Sequence, residues 1–357
     1  GGELFQDAND FGRQLGEILE RSSLTYVLTI RPTGPVADGT FHRLKVKADI
    51  PRSARVSHRM GYYAPRPYDE LHPLEKGLLA SDGIANVSER QDLEVSVLAA
   101  PFKANEKEAY LPVIIEIDGK SLLFGQSDNR LPVEFYTYAS NEFGEMQDFF
   151  TQMVTLDLSS GRARFESGGL KYYGHLDLPE GSYLLRVLVR NAVTGRTGVE
   201  MIPVEVPSYA EADPFLLPPF FVETDNDWFL VREASSTPEQ TVVYPFTVKG
   251  EPYIPAALPV LEDQQEAMIC LVAYNLGEGD IVVDGTIVAE DGTVIDEADL
   301  LLEERTITGI AGLDRFVARF RPDGLEEGKY TLRVALRNST SGVLETKSVP
   351  FSLGVPN

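Results

Sequence analysis

The sequence contains a single cysteine, Cys270, among 357 residues. One cysteine cannot form an internal disulfide, so the fold does not depend on a disulfide framework. Cys270 lies in the apolar run Met268–Val272, where a buried small side chain is expected rather than an activated nucleophile. Scarce cysteine is common in exported bacterial proteins and in cytosolic ones, so the count alone does not decide the compartment.

Basic residues are also few relative to acidic ones. Lys and Arg number 32 against 55 Asp and Glu, which gives a net charge of −23. Nucleic acids and anionic membranes attract basic surfaces, so neither is expected as a partner. The acidity favours solubility, with Ca²⁺ binding outside the cell as the alternative explanation.

Long apolar runs are absent, and none approaches the roughly 20 residues of a membrane-spanning helix. No membrane insertion is therefore expected. No signal peptide is present either, and the chain opens with Gly1-Gly2 rather than methionine. We expect a processed or truncated piece of an exported protein, located outside the cell, in the periplasm or on the cell surface.

Sequence signatures of catalysis are missing as well. The four histidines, His42, His58, His72 and His175, are scattered and show no metal-ligand spacing. There is no Gly-x-Ser-x-Gly elbow, phosphate loop or dinucleotide fingerprint. We therefore predict a protein without enzymatic activity, without catalytic residues and without a cofactor.

What the sequence does contain is an internal repeat. Residues 181–191 read GSYLLRVLVRN and residues 328–338 read GKYTLRVALRN, an offset of 328 − 181 = 147. The same offset relates Asn191 to Asn338, Gly195 to Gly342 and Pro203 to Pro350. Alternating residues, an Asn-x-x-x-Gly turn and a final strand with proline are typical of the last hairpin of an immunoglobulin-like or fibronectin-like sandwich. Because proline cannot donate to a ladder, it predicts an edge strand or a bulge.

The fold class predicted from these patterns is mainly β, with two tandem immunoglobulin/fibronectin-like β-sandwiches behind a short α/β segment. Helical spacing over 9–21 and 67–81 and strand patterns over 24–32, 40–50 and 53–63 indicate that segment. The predicted boundaries are 1–66 for the α/β segment, 67–85 for a helical connector, 86–207 for the first sandwich, 208–240 for a linker or joint, and 241–357 for the second sandwich.

Several residues near the start of the chain match a family pattern. The matching residues are Gly1-Gly2, Tyr26, Asp38-Gly39, Phe41, His42, Leu44, Val46 and Arg59-Met60-Gly61-Tyr62-Tyr63. In this arrangement the opening segment resembles the end of von Willebrand factor A (VWFA)-related proteins from Acidobacteria, over roughly residues 1–65. The resemblance implies that residues 1–66 close a VWFA-type domain whose beginning lies upstream.

The same resemblance implies that the Mg²⁺ site of such domains, an Asp-x-Ser-x-Ser loop, would also lie upstream. The nearest match is Asp157-Leu-Ser159-Ser160-Gly161, which has glycine where the third ligand should be. We interpret it as a strand end and turn, so ion-dependent adhesion is not carried over to this chain.

The candidate binding residues lie in the predicted joint. Glu223, Asp225 and Asp227 form an acidic cluster that is a candidate Ca²⁺ site, although it lacks the glycine and distal glutamate of a hand-type loop. A solvated loop beside the only tryptophan is the alternative. The aromatic residues around it are candidates for a ligand platform or for a buried joint between modules: Phe220, Phe221, Trp228 and Phe229.

Two functions are compatible with these patterns. The first is an exported bacterial binding or scaffolding protein that contacts a protein or cell-surface ligand through its sandwich modules. The second is a carbohydrate-active protein or other hydrolase with a site at the joint. A cleft with two carboxylates near Trp228 would favour the second, whereas a filled joint would favour the first.

Overall fold

A computed structural model describes residues 29, 38–47, 49, 56–64, 66–85, 91–210, 213–223, 227–232, 244–248, 250–307 and 312–354. The chain divides into two compact units, Gly1–Leu71 and His72–Asn357. The described part is mainly β, with 55% strand and 8% helix arranged in several sheets, which is consistent with a β-sandwich architecture.

In the first unit the described residues form one small antiparallel pair of strands. β1 (Phe41–Arg43) pairs with β2 (Gly61–Tyr63), and a 3-10 helix, Tyr68–Glu70, follows. The helix predicted over 9–21 lies outside the described residues, as does the strand predicted over 24–32 apart from Thr29. The α/β character of this segment therefore stays a prediction.

The second unit begins with helices and strands that build two facing sheets, here called the N-terminal sheet pair. The helices are α1 (Pro73–Ala85), α2 (Gly119–Leu123) and α3 (Arg162–Gly168). The strands are β3 (Val95–Ala99), β4 (Phe102–Lys103), β5 (Glu108–Ile117), β6 (Arg130–Asn141), β7 (Met146–Asp157), β8 (Leu170–Pro179), β9 (Gly181–Asn191) and β10 (Thr197–Val206).

Segments after the N-terminal sheet pair build a second pair of sheets, the C-terminal sheet pair. The first strands in this part of the chain are β11 (Phe215–Leu216), β12 (Phe220–Val222), β13 (Phe229–Arg232), β14 (Thr247–Val248), β15 (Glu251–Pro252) and β16 (Val260–Leu261). Of these, β13 joins a sheet of the N-terminal sheet pair, and β14 and β15 form a separate two-stranded hairpin. The remaining strands are β17 (Ala267–Tyr274), β18 (Ile281–Ala289), β19 (Val294–Glu297), β20 (Asp299–Ile307), β21 (Leu313–Arg321), β22 (Gly328–Asn338) and β23 (Leu344–Leu353).

The N-terminal sheet pair consists of one sheet in the order β10-β9-β6-β7 and another in the order β13-β8-β5-β3, with β4 on β5. Strand β6 alternates buried and partly exposed residues, because Leu131, Val133 and Phe135 face the space between the sheets. Strand β5 is buried along almost its whole length. Both of its faces are therefore covered, which is unusual for a simple two-layer arrangement.

The C-terminal sheet pair consists of β11-β17-β21-β20, with β12 also on β17, facing β16-β23-β22-β18-β19. Its own core contains Ile269, Leu271, Phe316 and Phe351. Alternate residues on β17 point the other way, and Cys270, Val272 and Tyr274 belong to the core cluster of the N-terminal sheet pair. One sheet of each pair therefore packs against the other, which explains why β5 is buried on both faces.

The segment predicted as a joint contributes strands to both pairs. β11 and β12 pair with β17 of the C-terminal sheet pair. β13 runs parallel to β8 of the N-terminal sheet pair, with Phe229 opposite Leu170. The predicted domain boundaries are not tested by this arrangement, but the joint residues are structural parts of two sheets.

Helix α1 differs from its sequence pattern. The spacing predicts Leu71, Leu74, Leu78 and Leu79 on one face, yet Leu74 and Leu78 are 67% and 62% exposed. The helix contacts β9 through small residues instead, since Ala80 is buried and a Cβ atom at Gly83 would lie 3.0 Å from Leu188. Small side chains allow close approach to the sheet, and the bulkier leucines turn away from it.

The repeated residues make equivalent contacts in the two final hairpins, β9–β10 and β22–β23. Pro203 lies opposite Leu184, and Pro350 lies opposite Thr331 at the same offset. Pro203 is on an edge strand, as proline predicts. β23 has partners on both sides, but β16 pairs only with Ser352 and Leu353, beyond Pro350.

Candidate functional site

The joint between the sheet pairs contains a buried cluster of three charged side chains. Lys171 of β8 lies opposite Glu116 of β5, and its Nζ is 2.8 Å from a Glu116 carboxylate oxygen. The same Nζ donates to Glu223, which directly follows β12. Lys171 and Glu116 are only 2% and 5% exposed. We call Glu116, Lys171 and Glu223 the joint triad.

The joint triad also binds the backbone of the C-terminal sheet pair. The amides of Ala257 and Leu258 donate to the two Glu116 oxygens at 2.9 and 3.2 Å. Lys171 reaches the carbonyl oxygen of Pro255 at 3.4 Å. A buried charge is tolerated when it is paired and hydrogen-bonded, and each member of the triad meets that condition.

Trp228 completes the cluster. Its indole Nε1 donates to a Glu223 oxygen at 3.1 Å, and the Lys171 Nζ lies 5.0 Å from the centre of the indole ring. The tryptophan therefore satisfies one carboxylate and stacks on the ammonium group at the same time. Its polar contact faces inward, toward the triad.

Burial and neighbouring charges shift the pKa values of Glu223 and Lys171. Burial raises the pKa of Glu223, and the nearby Glu116 carboxylate adds to this effect against the opposing influence of Lys171. Burial alone would lower the pKa of Lys171, but Glu116 and Glu223 outweigh it and the pKa is raised. The lysine therefore stays protonated in the folded protein at neutral pH.

The predicted aromatic platform is largely interior. Phe220 and Phe221 are 1% and 2% exposed, so neither forms part of an aromatic platform on the outer surface. Phe220 packs near Phe102 and Phe246, with ring centres 5.9 and 5.1 Å away, while Phe221 contacts the C-terminal core. Neighbouring residues on a strand point to opposite faces, so Phe220 and Phe221 serve two different cores. This corrects the platform interpretation for these two residues.

Phe229 is partly buried and packs edge-on against Phe165 of α3, with ring centres 5.2 Å apart. The Arg164 guanidinium lies over the other part of that ring, 5.8 Å from its centre. Trp228 and Phe229 are thus adjacent in sequence but contact different groups. Among the predicted site residues that the structure describes, Trp228 and Glu223 are joined by a side-chain hydrogen bond.

The candidate Ca²⁺ ligands do not converge within the described residues. Glu223 is occupied by Lys171 and Trp228, whereas Asp227 forms an ion pair with Arg164 at 3.1 Å. Asp225 lies outside the described residues. Across the described ranges, no group of three or more His, Cys, Asp or Glu side chains is arranged to hold a metal ion. The calcium hypothesis stays untested where Asp225 is concerned.

Lys171 and Glu116 were not identified from the sequence. The sequence does show which face of its strand Lys171 occupies. In the run LKYYGHLDL, Lys171 lies on the face opposite to that of the core residues Tyr172 and Leu176. Glu116 ends an apolar run in the same way. A charged residue at such a position is ordinarily solvent-exposed on an outer sheet face, and only the packing of the second sheet pair buries it here.

The chemistry available to the joint triad is limited. Glycoside hydrolysis needs two carboxyl groups that flank a bound substrate, one of them free to accept or donate a proton. Glu116 and Glu223 instead bind the same ammonium group, which occupies the space between them. The arrangement can hold two structural elements together, and it provides no space for a glycosidic bond between the carboxyl groups.

Comparisons with known proteins identify no family for this chain. No protein-family model and no curated protein matches it. Among solved structures, a family 123 glycoside hydrolase from Clostridium perfringens is similar at 11% identity with a TM-score of 0.21, covering 27% of this chain and 22% of that chain. A biofilm-associated protein, BSP domain, is similar at 12% identity with a TM-score of 0.23, covering 74% of this chain and 30% of that chain.

This chain thus spans less than a third of the length of either structure. TM-scores of 0.21 and 0.23 are too small for either likeness to support a fold or a function. Within the described residues, no helix is long and apolar enough to cross a membrane.

Proposed function

We propose that the chain is an exported bacterial binding or scaffolding protein without enzymatic activity. It binds a protein or cell-surface ligand through two sandwich modules whose relative orientation is fixed. The two sheet pairs are its modules, and each is an immunoglobulin/fibronectin-like β-sandwich. Residues 1–66 are the end of a VWFA-related domain, a part of the proposal that rests on the sequence resemblance alone.

The observation that carries the proposal is the apolar core that continues across the joint. A continuous apolar core extends from the N-terminal sheet pair to Cys270, Val272 and Val317 of the C-terminal sheet pair. The joint triad adds a charged cross-link inside the same interface. Flexible domain interfaces are small and polar, whereas a large apolar interface favours a fixed relative orientation.

The immunoglobulin-like assignment is supported by a hydrogen bond found in both pairs. The Tyr183 hydroxyl donates to the Pro179 carbonyl at 2.9 Å, and the Tyr330 hydroxyl donates to the Glu326 carbonyl at 2.8 Å. A tyrosine that bonds the backbone a few residues upstream of a strand is a recurrent feature of immunoglobulin-like sandwiches.

The contact surface that we propose is the outer side of β7 and the turn before it. Phe149 and Met153 are 51% and 63% exposed on alternate residues of β7, and Phe143 is exposed in the turn. β7 ends its sheet, so one of its edges has no strand partner in that sheet. Exposed apolar side chains beside a free strand edge are suited to protein binding.

Adhesion assays test the proposed surface. Beads coated with the full chain are expected to adhere to protein-coated surfaces, and F149D/M153D should reduce adhesion by about tenfold, because each charge removes an apolar contact. The matched control is V294D/L344D, which adds the same charges at exposed apolar residues of β19 and β23 in the C-terminal sheet pair. Equal loss in both double variants, or no adhesion by the wild type, would contradict the proposal.

The hydrolase alternative is tested separately with a panel of p-nitrophenyl glycosides. The ion pairs of Glu116 and Glu223 with Lys171 predict no turnover by the wild type. Turnover that is lost in both E116Q and E223Q, with the folded state retained by circular dichroism, would instead establish the hydrolase.

A further inference from the structure

A cavity of about 290 Å³ lies on the outer face of the β17–β21–β20 sheet, between that face and the β14–β15 hairpin. Cys270, Val272 and Val317 line it from the sheet, and Phe220 and Phe246 line it from the joint. Its lining is thus mainly apolar. It is distinct from the joint triad, since none of the three triad residues lines it.

Arg315 brings a positive charge to this cavity. It lies between Val272 of β17 and Thr306 of β20 in the sheet register, and one guanidinium nitrogen donates to the Thr247 hydroxyl of the hairpin. Its Nε is buried and, within the described part of the chain, has no hydrogen-bond partner. A buried donor without an acceptor is costly, so a ligand that supplies an acceptor there is favoured.

In the part of the chain that the structure describes, the Nε atoms of the neighbouring Arg305 and Arg319 are also buried without a hydrogen-bond partner, so Arg315 differs from them in lacking a carboxylate partner. Arg305 pairs with Asp314, Arg319 with Glu303, and Arg321 with Asp299. Among the described residues no carboxylate forms an ion pair with Arg315, although the whole chain has 55 Asp and Glu against 32 Lys and Arg. Glu304 also lines the cavity, but it accepts a hydrogen bond from Thr306 and does not pair with Arg315.

We infer that this cavity is a binding site for a small amphipathic carboxylate, whose apolar body contacts Phe220, Phe246 and Cys270 and whose carboxylate binds Arg315. Arginine recognises carboxylates through paired hydrogen bonds, which an apolar surround strengthens. The volume suits a body of about ten non-hydrogen atoms, at about 30 Å³ for each water-sized group. Such ligands include medium-chain fatty acids and simple aromatic acids.

Cys270 provides a local reporter, because it is the only cysteine of the chain and lines the cavity. Burial raises the pKa of its thiol to about 11, so alkylation is slow at neutral pH. A ligand in the cavity covers the sulfur and slows the reaction further. Ligands bound elsewhere on the surface do not have this effect.

The experiment follows N-ethylmaleimide modification of the full chain by intact mass, at fixed pH, with octanoate or with octanol. Octanoate is expected to protect Cys270 at about tenfold lower concentration than octanol, since only the carboxylate gains a charge-assisted hydrogen bond. R315Q should abolish this preference and R315K should retain part of it. The matched control, R321Q, changes an exposed and paired arginine of the same strand and should behave like the wild type.

Three outcomes would overturn the inference. They are equal protection by octanoate and octanol in the wild type, no protection by either compound up to its solubility, and an unchanged octanoate preference in R315Q. Urea unfolding midpoints show whether R315Q is folded. If it is not, the wild-type comparison of the two compounds and the R315K variant still decide the matter.

Discussion

The two sheet pairs agree in their final hairpins and differ on the faces through which they meet. Asn191 accepts from the amides of Val193 and Thr194, and Asn338 accepts from those of Thr340 and Ser341. Gly195 and Gly342 follow in the same left-handed conformation, with φ of 73° and 74°. These shared residues close a turn and satisfy local backbone groups.

The side-chain NH2 groups of Asn191 and Asn338 also have comparable roles in the two sheet pairs. Asn191 donates to the carbonyl of Leu122 and to Gln126, whereas Asn338 donates to the carbonyls of Leu276 and Glu278. Each one therefore ties its hairpin to a preceding segment of its own sheet pair.

The residues on the sheet faces that meet at the joint do not correspond between the two sheet pairs. Lys171 and Glu116 stand on one side, and Cys270, Val272 and Arg315 stand on the other. The comparison teaches that the repeated residues are those that a module needs for its own turns and core. The residues that differ are those that join one module to the other or line a cavity beside the joint.

The largest effect expected from breaking the joint is that of K171M. Removing the lysine leaves Glu116 and Glu223 buried and unpaired, which should lower the free energy of unfolding by roughly 3–5 kcal/mol. The control, K107M, changes an exposed lysine on the turn before β5 and should have almost no effect. Urea unfolding followed by tryptophan fluorescence measures both. A loss below 1 kcal/mol for K171M would show that the triad does not hold the joint.

Breaking the repeat should give two equal and smaller losses. N191A and N338A each leave buried backbone groups without partners, so each should lower the free energy of unfolding by about 2 kcal/mol. The same urea titration compares them. A loss at one position only would mean that the two asparagines have different structural roles despite their matching contacts.

The tyrosine hydrogen bonds should contribute less. Y183F and Y330F each remove one hydroxyl and keep the ring, and each should cost about 1 kcal/mol. Y136F serves as a comparison because the hydroxyl of Tyr136 bonds the side chains of Glu134 and Arg190 rather than a backbone carbonyl upstream. Thermal melts resolve the order of the three, and a neutral result for both Y183F and Y330F would weaken the immunoglobulin-like assignment.

The smallest expected effect is a pH dependence of the free energy of unfolding that comes from Glu223. Its pKa is raised in the folded protein above the ordinary 4.5, so the folded state binds the proton more tightly than the unfolded state. This contribution to stability is fully present below about pH 4.5 and is lost as the pH rises through the raised pKa.

The comparison of wild type with E223Q isolates that contribution, because glutamine does not titrate. The stability of the wild type relative to E223Q should therefore increase as the pH falls from 7 toward 4.5, measured by urea unfolding at each pH. The opposite slope would show that ion pairing with Lys171 outweighs burial at Glu223.

Much of the local structure followed from patterns in the sequence. Alternation in GSYLLRVLVRN and GKYTLRVALRN correctly predicts β9 and β22, because a strand with one buried face repeats every two residues. The Asn-x-x-x-Gly turns were equally readable, since few residues other than glycine adopt a positive φ without strain. Helix α1 was found near its predicted position, but its exposed leucines were not foreseen.

Of the residues that form the candidate site, the sequence predicted Glu223 and Trp228 but not Glu116 and Lys171. Glu223 and Trp228 are close in sequence, and the structure keeps them in contact. Lys171 lies 52 residues before Glu223, and Glu116 lies further still toward the N-terminus. No local pattern pairs residues at such separations, because their encounter depends on how two sheets pack.

Sequence patterns alone predict the strand-rich character of the chain, the hairpin repeat at an offset of 147 and the burial of Cys270. These properties depend on neighbours along the chain, on side-chain polarity and on turn geometry. The packing of sheet against sheet, by contrast, buries Lys171, places Phe220 and Phe221 in separate cores and leaves Arg315 beside a cavity. The reason is that the outer face of a sheet has the same residue pattern whether water or a second sheet covers it.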